Sequence, residues 1–134
     1  MKMEKLEKAV DLSQRIGFVC VATADGRGMP HIATAGKMEL ADGGQLAITE
    51  WFCPGTMSNL LTNNFVSIVV WDRDSDSGYQ MIGKLERIEE LGILNGYAPD
   101  IESGPPLPQV KRRLLIKVQK ITDFRLGPHS DAED

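Results

Sequence analysis

The residues best suited to chemistry lie in one run, Thr49-Glu50-Trp51-Phe52-Cys53-Pro54-Gly55-Thr56-Met57-Ser58-Asn59. Aromatic side chains at the end of an apolar stretch are followed there by Pro-Gly-Thr, which opens a helix. The first-turn N–H groups of a helix have no partner inside it, so they can receive an anion, and a threonine hydroxyl adds a donor. Flat aromatic surface beside a phosphate grip is what a mononucleotide-like ligand requires. The same residues also suit plain structural duties, with Thr56 as a helix cap and Trp51 and Phe52 as core. Composition does not choose between the two.

No acid, base or nucleophile set stands out elsewhere. The sequence has no G-x-S-x-G elbow and no H-E-x-x-H, and Gly26-Arg27-Gly28 is turn chemistry rather than a dinucleotide fingerprint. Two histidines and two cysteines, none closely spaced, make no metal site. His31 reads as a residue of the strand after the first turn and His129 as a tail residue. Cys20, inside Phe18-Val19-Cys20-Val21-Ala22, reads as a buried, inert thiol. Cys53, before a proline in a tight loop, is either structural or a redox thiol.

The elements that position these residues come from a chain of 134 residues, enough for one domain with a real core. It is 42% hydrophobic and 25% charged, as globular chains are. A net charge of -4 gives a phosphate backbone little to hold, and Lys111-Arg112-Arg113 reads as a solvated strand edge. No nucleic-acid partner is expected. With no apolar leader and no run approaching 18 apolar residues, the expectation is a cytoplasmic protein without a membrane span.

Apolar spacing predicts a helix from Glu4 to Ile16, capped at Gly17. A strand follows from Phe18 to Ala24, then the turn Asp25 to Gly28 and a long strand from Pro30 to Leu40. After Ala41-Asp42-Gly43-Gly44 comes a strand from Gln45 to Trp51. A short helix spans Met57 to Asn63, with Leu60 and Leu61 facing inward. Val66 to Trp71 and Tyr79 to Ile88 are strands separated by a polar loop, Asp72 to Gly78. The glycine- and proline-bearing stretch Gly92 to Gln109 reads as irregular, with one helical turn near Ile93. Arg113 to Phe124 is the last strand, and residues 127–134 read as a disordered acidic tail after a domain of residues 1–126. The sum is a mainly β fold with few helices: about six antiparallel strands closed into a barrel, which removes unpaired edges.

Several segments in this order resemble a known family. They are Asp25-Gly26-Arg27-Gly28-Met29-Pro30-His31, the hairpins after it, the strand end at Thr49 and the helix carrying Asn59-Leu60. Asn63-Asn64-Phe65-Val66-Ser67 and Ile82-Gly83-Lys84-Leu85-Glu86-Arg87 complete the set. Together they are similar to the pyridoxamine 5'-phosphate oxidase-like family, the FMN-binding split barrels, over Gly17 to Glu90 and the final strand. The resemblance implies a six-stranded split barrel and a homodimer with FMN in a groove at the subunit interface. Carried over by position, Ala33, Thr34 and Ala35 would line the flavin ring through backbone groups, their small side chains allowing close approach. Thr49 and Glu50 would meet the flavin at the strand end, beside Trp51, Phe52 and Cys53. Thr56 and Asn59 would lie on the helix that holds the phosphate, with Lys37 nearby and Gln80 as an outer donor.

Two departures bear on function. Oxidases of this family place a basic pair before that helix, where this chain has Cys53-Pro54-Gly55-Thr56. The arginine- and histidine-bearing C-terminal segment that binds pyridoxamine phosphate has no equivalent here. The resemblance thus implies an FMN-dependent oxidoreductase of unassigned substrate, with a small molecule or a redox protein as electron partner, rather than a vitamin B6 enzyme. Its catalytic residues are unassigned. Glu50 is a candidate either to move a substrate proton or to order water and tune the flavin. The alternatives are a non-catalytic FMN carrier and an interaction module that has lost flavin, with a deazaflavin or haem in the groove as a variant.

Overall fold

Strand alternation decides which side chains meet in the interior. The computed structural model describes residues 2–51, 54–94 and 109–127. In β1 (Val19–Ala24), Val19, Val21 and Thr23 are buried while Cys20, Ala22 and Ala24 lie on the opposite, half-exposed face. The expectation that Cys20 is buried in the core is therefore corrected: its neighbours occupy the inward positions of the pleat.

The strands form one antiparallel sheet of seven, ordered β2-β1-β5-β6-β7-β4-β3. Here β2 is Pro30–Ala35, β3 Lys37–Leu40, β4 Leu46–Trp51, β5 Phe65–Asp72, β6 Ser77–Leu94 and β7 Gln109–Asp123. The strand expected from Pro30 to Leu40 is broken at Gly36. Its first half pairs with β1 and its second with β4. One residue thus joins the two edges of the sheet, which must curl to meet it. The result is a split barrel with one strand more than the sequence count, because a continuous strand could not serve both edges.

The helix α1 (Lys2–Ile16) buries Leu6, Ala9, Val10, Leu12 and Ser13 against the sheet. It stops at Gly17, whose φ of +97° suits glycine and whose N–H donates to Ser13 O at 2.7 Å. The core it covers includes Met38, Leu46, Ile48, Ile68, Met81, Leu114 and Ile116. Among the described residues, no helix is long and apolar enough to cross a membrane.

β6 is longer than the sequence indicates. It continues to Leu94, with Gly92, Ile93 and Leu94 paired to Lys111, Val110 and Gln109, so no helical turn forms at Ile93. Register shifts at Ile82/Gly83, Leu85/Arg87 and Glu90/Gly92 let so long a strand follow the barrel. The rest of the stretch expected to be irregular, 95–108, lies outside the described residues, as does 128–134 of the expected tail. The loop expected between Asp72 and Gly78 is a tight turn, since the flanking strands reach Asp72 and Ser77. Lys111-Arg112-Arg113 is not at an edge, because β7 has β4 on one side and β6 on the other. Its arginines face carboxylates instead, Arg113 at 3.5 Å from Glu89 and Arg112 at 3.9 Å from Glu90.

The β5–β6 turn also anchors the end of β7. Asp76 Oδ1 accepts hydrogen bonds from the Leu126 N–H and from Trp71 Nε1, each at 2.9 Å. These donors, the Leu126 amide foremost, hold the Asp76 carboxyl below the usual carboxylate range. A depressed folded value means the stabilisation is complete above the unfolded pKa of about 3.9 and fades as pH falls through the folded one. Asp76→Asn should therefore melt below the wild type at neutral pH, with the gap closing below about pH 4. A gap constant across a thermal-melt pH series would refute the assignment.

Candidate functional site

The site is built where β2, the end of β4 and the helix α2 (Pro54–Thr62) meet. A tight turn sets the register. Asp25 Oδ1 accepts from the N–H groups of Arg27 at 2.8 Å and Met29 at 2.9 Å, and Gly28 takes a φ of +89°. Those amides, Met29 first, hold the Asp25 carboxyl below its ordinary value. The hairpin then places Thr23 opposite His31 and Val21 opposite Ala33.

Directly paired residues share a face, so Thr23 and His31 both present to α2. Asn59 Nδ2 donates to the Thr23 hydroxyl at 3.1 Å, pinning the helix to β1. One turn earlier, the His31 ring lies against Gly55. A Cβ on Gly55 would sit 3.4 Å from His31 Cε1, 3.6 Å from Nε2 and 3.9 Å from Nδ1. The imidazole thus flanks the first turn of α2, at a position where residue 55 has no side chain of its own. Leu60 anchors the helix in the core, but Leu61, expected to face inward, is 81% exposed because the next helical position turns away from the sheet.

β2 has one strand neighbour, so the sheet uses only one row of its backbone N–H and C=O groups. The other row faces the seam. β4 pairs with β3 only as far as Thr49↔Lys37 and continues through Glu50 and Trp51, and the strand as a whole lies close to β2. Ala33, Thr34 and Ala35 therefore lie along this open edge of β2, on the side of the sheet's seam with β3 and β4. Glu50 and Trp51 are placed by backbone register, opposite Arg112 and Lys111 of β7. Phe52 and Cys53 lie outside the described residues.

The remaining candidates have varied fates. Thr49 is 8% exposed, between Lys37 and Arg113 in a cross-strand row. Lys37 is 3.7 Å from Glu39 on its own strand. Thr56 is completely buried, its hydroxyl facing protein rather than solvent. Gln80 is elsewhere, on the outer face of β6, where its Nε2 donates to Ser67 Oγ at 2.8 Å. His31 is the residue that sequence reasoning passed over. Strand alternation carried the signal, since it puts His31 on the same face as Ala33 and Ala35.

A second feature is apolar. The outer faces of β1, β2 and β5 carry Cys20, Ala22, Ile32 and Val69, which with Phe18 and Trp71 line a depression of about 420 Å³. Ile32 is 69% exposed and Phe18 is 47% exposed.

The family model for pyridoxamine 5'-phosphate oxidase matches residues 6–122. The chain belongs to this family. Solved structures share the fold. HupZ of Group A Streptococcus is 25% identical, with 90% of this chain and 94% of that one covered, at a TM-score of 0.61. An FMN-binding protein from Syntrophomonas wolfei is 20% identical, covering 92% and 88%, at 0.65. HutZ, described as the heme storage protein of Vibrio cholerae, is 15% identical, covering 93% and 95%, at 0.52. No curated protein matches the chain significantly. The same fold is thus found in solved proteins described by different ligands.

Proposed function

We propose that this protein binds FMN in the cleft between β2, the end of β4 and the first turn of α2, and acts as a flavin-dependent oxidoreductase. The observation that carries the reading is the second, sheet-free row of main-chain groups on β2, flanked by Ala33, Thr34 and Ala35 and ending beside a helix N-terminus. Such a rim suits a flat heteroaromatic ring, whose edge needs donors and acceptors and whose face tolerates only small side chains. First-turn amides of α2 suit the phosphate end.

Bound FMN would supply two-electron redox chemistry. The chain's own residues would do the rest. β2 would fix the ring edge, Asn59 and Thr23 would hold α2 at a set distance from it, and the buried side of the cleft would exclude water. The proposal includes a second copy of the chain seated on the apolar face of β1, β2 and β5, since an exposed apolar patch of this kind marks an association surface. β2 belongs to both, its Ile32 and Thr34 facing the partner and its open edge facing the cleft.

Titrating purified protein with FMN should quench flavin fluorescence at about one equivalent per chain. At a hundredfold excess over Kd it should stabilise the fold by about 2.7 kcal/mol. No quenching and no thermal shift at saturating FMN would overturn the reading, as would a Soret band with haem in place of flavin. Turnover with NAD(P)H and an added acceptor then separates an enzyme from an electron carrier.

A further inference from the structure

We propose that the outer face of the β6–β7 ribbon is a docking surface for an acidic protein segment, held by Lys84 and Lys117. The inference does not depend on the flavin reading.

Register assigns the face. Leu114, Ile116 and Val118 of β7 and Met81 of β6 belong to the core, so the residues alternating with them point outward. Directly paired residues share a face. Down the ribbon, Arg113 is therefore beside Glu89, Arg87 beside Leu115, Lys84 beside Lys117 and Lys120 beside Ile82, with Lys111 leading the first of these rows. Glu86, at the register shift between Leu85 and Arg87, borders the same face. Six cations thus share the ribbon with two carboxylates, in a chain of net charge -4.

The rows nearest Lys111 are neutralised and the lysine rows are not. Glu89 Oε2 is 3.0 Å from Arg87 Nη2, and its Oε1 is 3.5 Å from Arg113 Nε. Lys84 and Lys117, both exposed, stand directly opposite each other, an arrangement that costs stability because like charges repel across a strand pair. Among the described residues neither forms an ion pair. Lys84 Nζ lies 5.0 Å from the centroid of the Phe65 ring, which steadies the ammonium without removing its charge. Glu86 is engaged elsewhere, accepting a hydrogen bond from Gln45 Nε2. Lys2 and Asp42 border the hollow beside Lys117, and neither pairs with it.

Charge complementarity selects the occupant, since an anionic partner relieves the repulsion that the fold leaves standing. Successive rows are about 7 Å apart, the repeat of alternate side chains in an extended peptide. A segment with carboxylates at every second position would meet the cations row by row. Glu86 and Glu89 would repel a continuous polyphosphate, and the net negative charge draws no nucleic acid from a distance. A protein surface can mix signs to match.

The probe is a fluorescein-labelled peptide of alternating glutamate and serine, about twelve residues long, which spans the rows at about 3.3 Å per residue. Anisotropy titrations at low ionic strength would compare the wild type, the double variant Lys84→Gln with Lys117→Gln, and Lys8→Gln on the exposed face of α1. The double variant should bind about tenfold more weakly and Lys8→Gln as the wild type does. Added salt should erase the difference. Lys117→Gln alone should melt no lower than the wild type, because it removes the like-charge pair. No binding, equal affinity for wild type and double variant, or a lower melting temperature for Lys117→Gln would overturn the assignment. Tighter binding of oligothymidylate or of phosphatidylserine vesicles than of the peptide would do the same. So would a change in the mass of the free protein in the double variant, which would give this face to a second copy of the chain.

Discussion

Replacing Gly83 with alanine should destabilise the protein by about 3 kcal/mol, the upper end of what overpacking costs. A Cβ at this position would lie 2.2 Å from the Lys117 carbonyl oxygen and 2.9 Å from both Lys117 C and Val118 Cα. These are main-chain atoms of β7, so no side chain can swing aside. Gly83 sits at the first register shift of β6, where the two longest strands press together at the barrel wall. Relief requires parting β6 from β7, and with it the ladder that supports β4. Gly92 provides the control, since it lies at the last shift of the same strand and a Cβ there meets nothing within 4 Å. Urea unfolding should show a much lower midpoint for Gly83→Ala with an unchanged slope, and near wild-type behaviour for Gly92→Ala. Against a total stability of about 5–15 kcal/mol, a loss of that size is large. Equal midpoints for the two variants would show that the backbone at Gly83 yields more easily than its contacts imply.

Ile32→Arg should have the other large effect, on assembly rather than on folding. Ile32 projects from β2 beside Phe18, Cys20, Ala22, Val69 and Trp71, and two-thirds of it is open in the isolated chain. An arginine there is harmless to a monomer, costing within about 0.5 kcal/mol. At the centre of an apolar interface between two copies it buries an unpaired charge on each side, which costs about 3–5 kcal/mol or more. The dimer dissociation constant should therefore rise at least about a hundredfold. Light scattering over a dilution series would read this directly. Flavin retention should fall with it, because in the proposed assembly β2 would carry the interface on one side and line the flavin along its open edge. A wild type already monomeric at high concentration, or a variant with unchanged mass, would remove the interface from this face.

The local features of the fold were the most legible in the sequence. The helix ending at Gly17 and the Asp25–Gly28 turn are set by near neighbours, and both stand where glycine, aspartate and spacing put them. What stayed hidden depends on long-range pairing. Nothing local in Pro30 to Leu40 says that the chain changes sheet edges at Gly36, since both halves are equally strand-like. Likewise, Gly92 to Leu94 become strand because β7 lies alongside, despite a glycine that reads as irregular. Cys20 and Leu61 were misplaced by one position in their periods, which is enough to turn a side chain from core to surface. For the candidate site, the segment from Thr49 to Asn59 and the run Ala33 to Ala35 were singled out by type and order. The contact between His31 and Gly55 was not legible, because it exists only once the hairpin and α2 have packed.

The single-residue passage at Gly36 has a mechanical side. Both edge strands of the sheet, β2 and β3, are fastened to one short stretch of chain, Ala35-Gly36-Lys37, so they cannot drift apart as two separately hinged loops would. The separation of the two edges at this point is dimensioned by peptide units rather than by side chains. Substitutions along β2 or β3 would therefore alter what the seam presents to a ligand while the spacing of its two edges keeps its gauge.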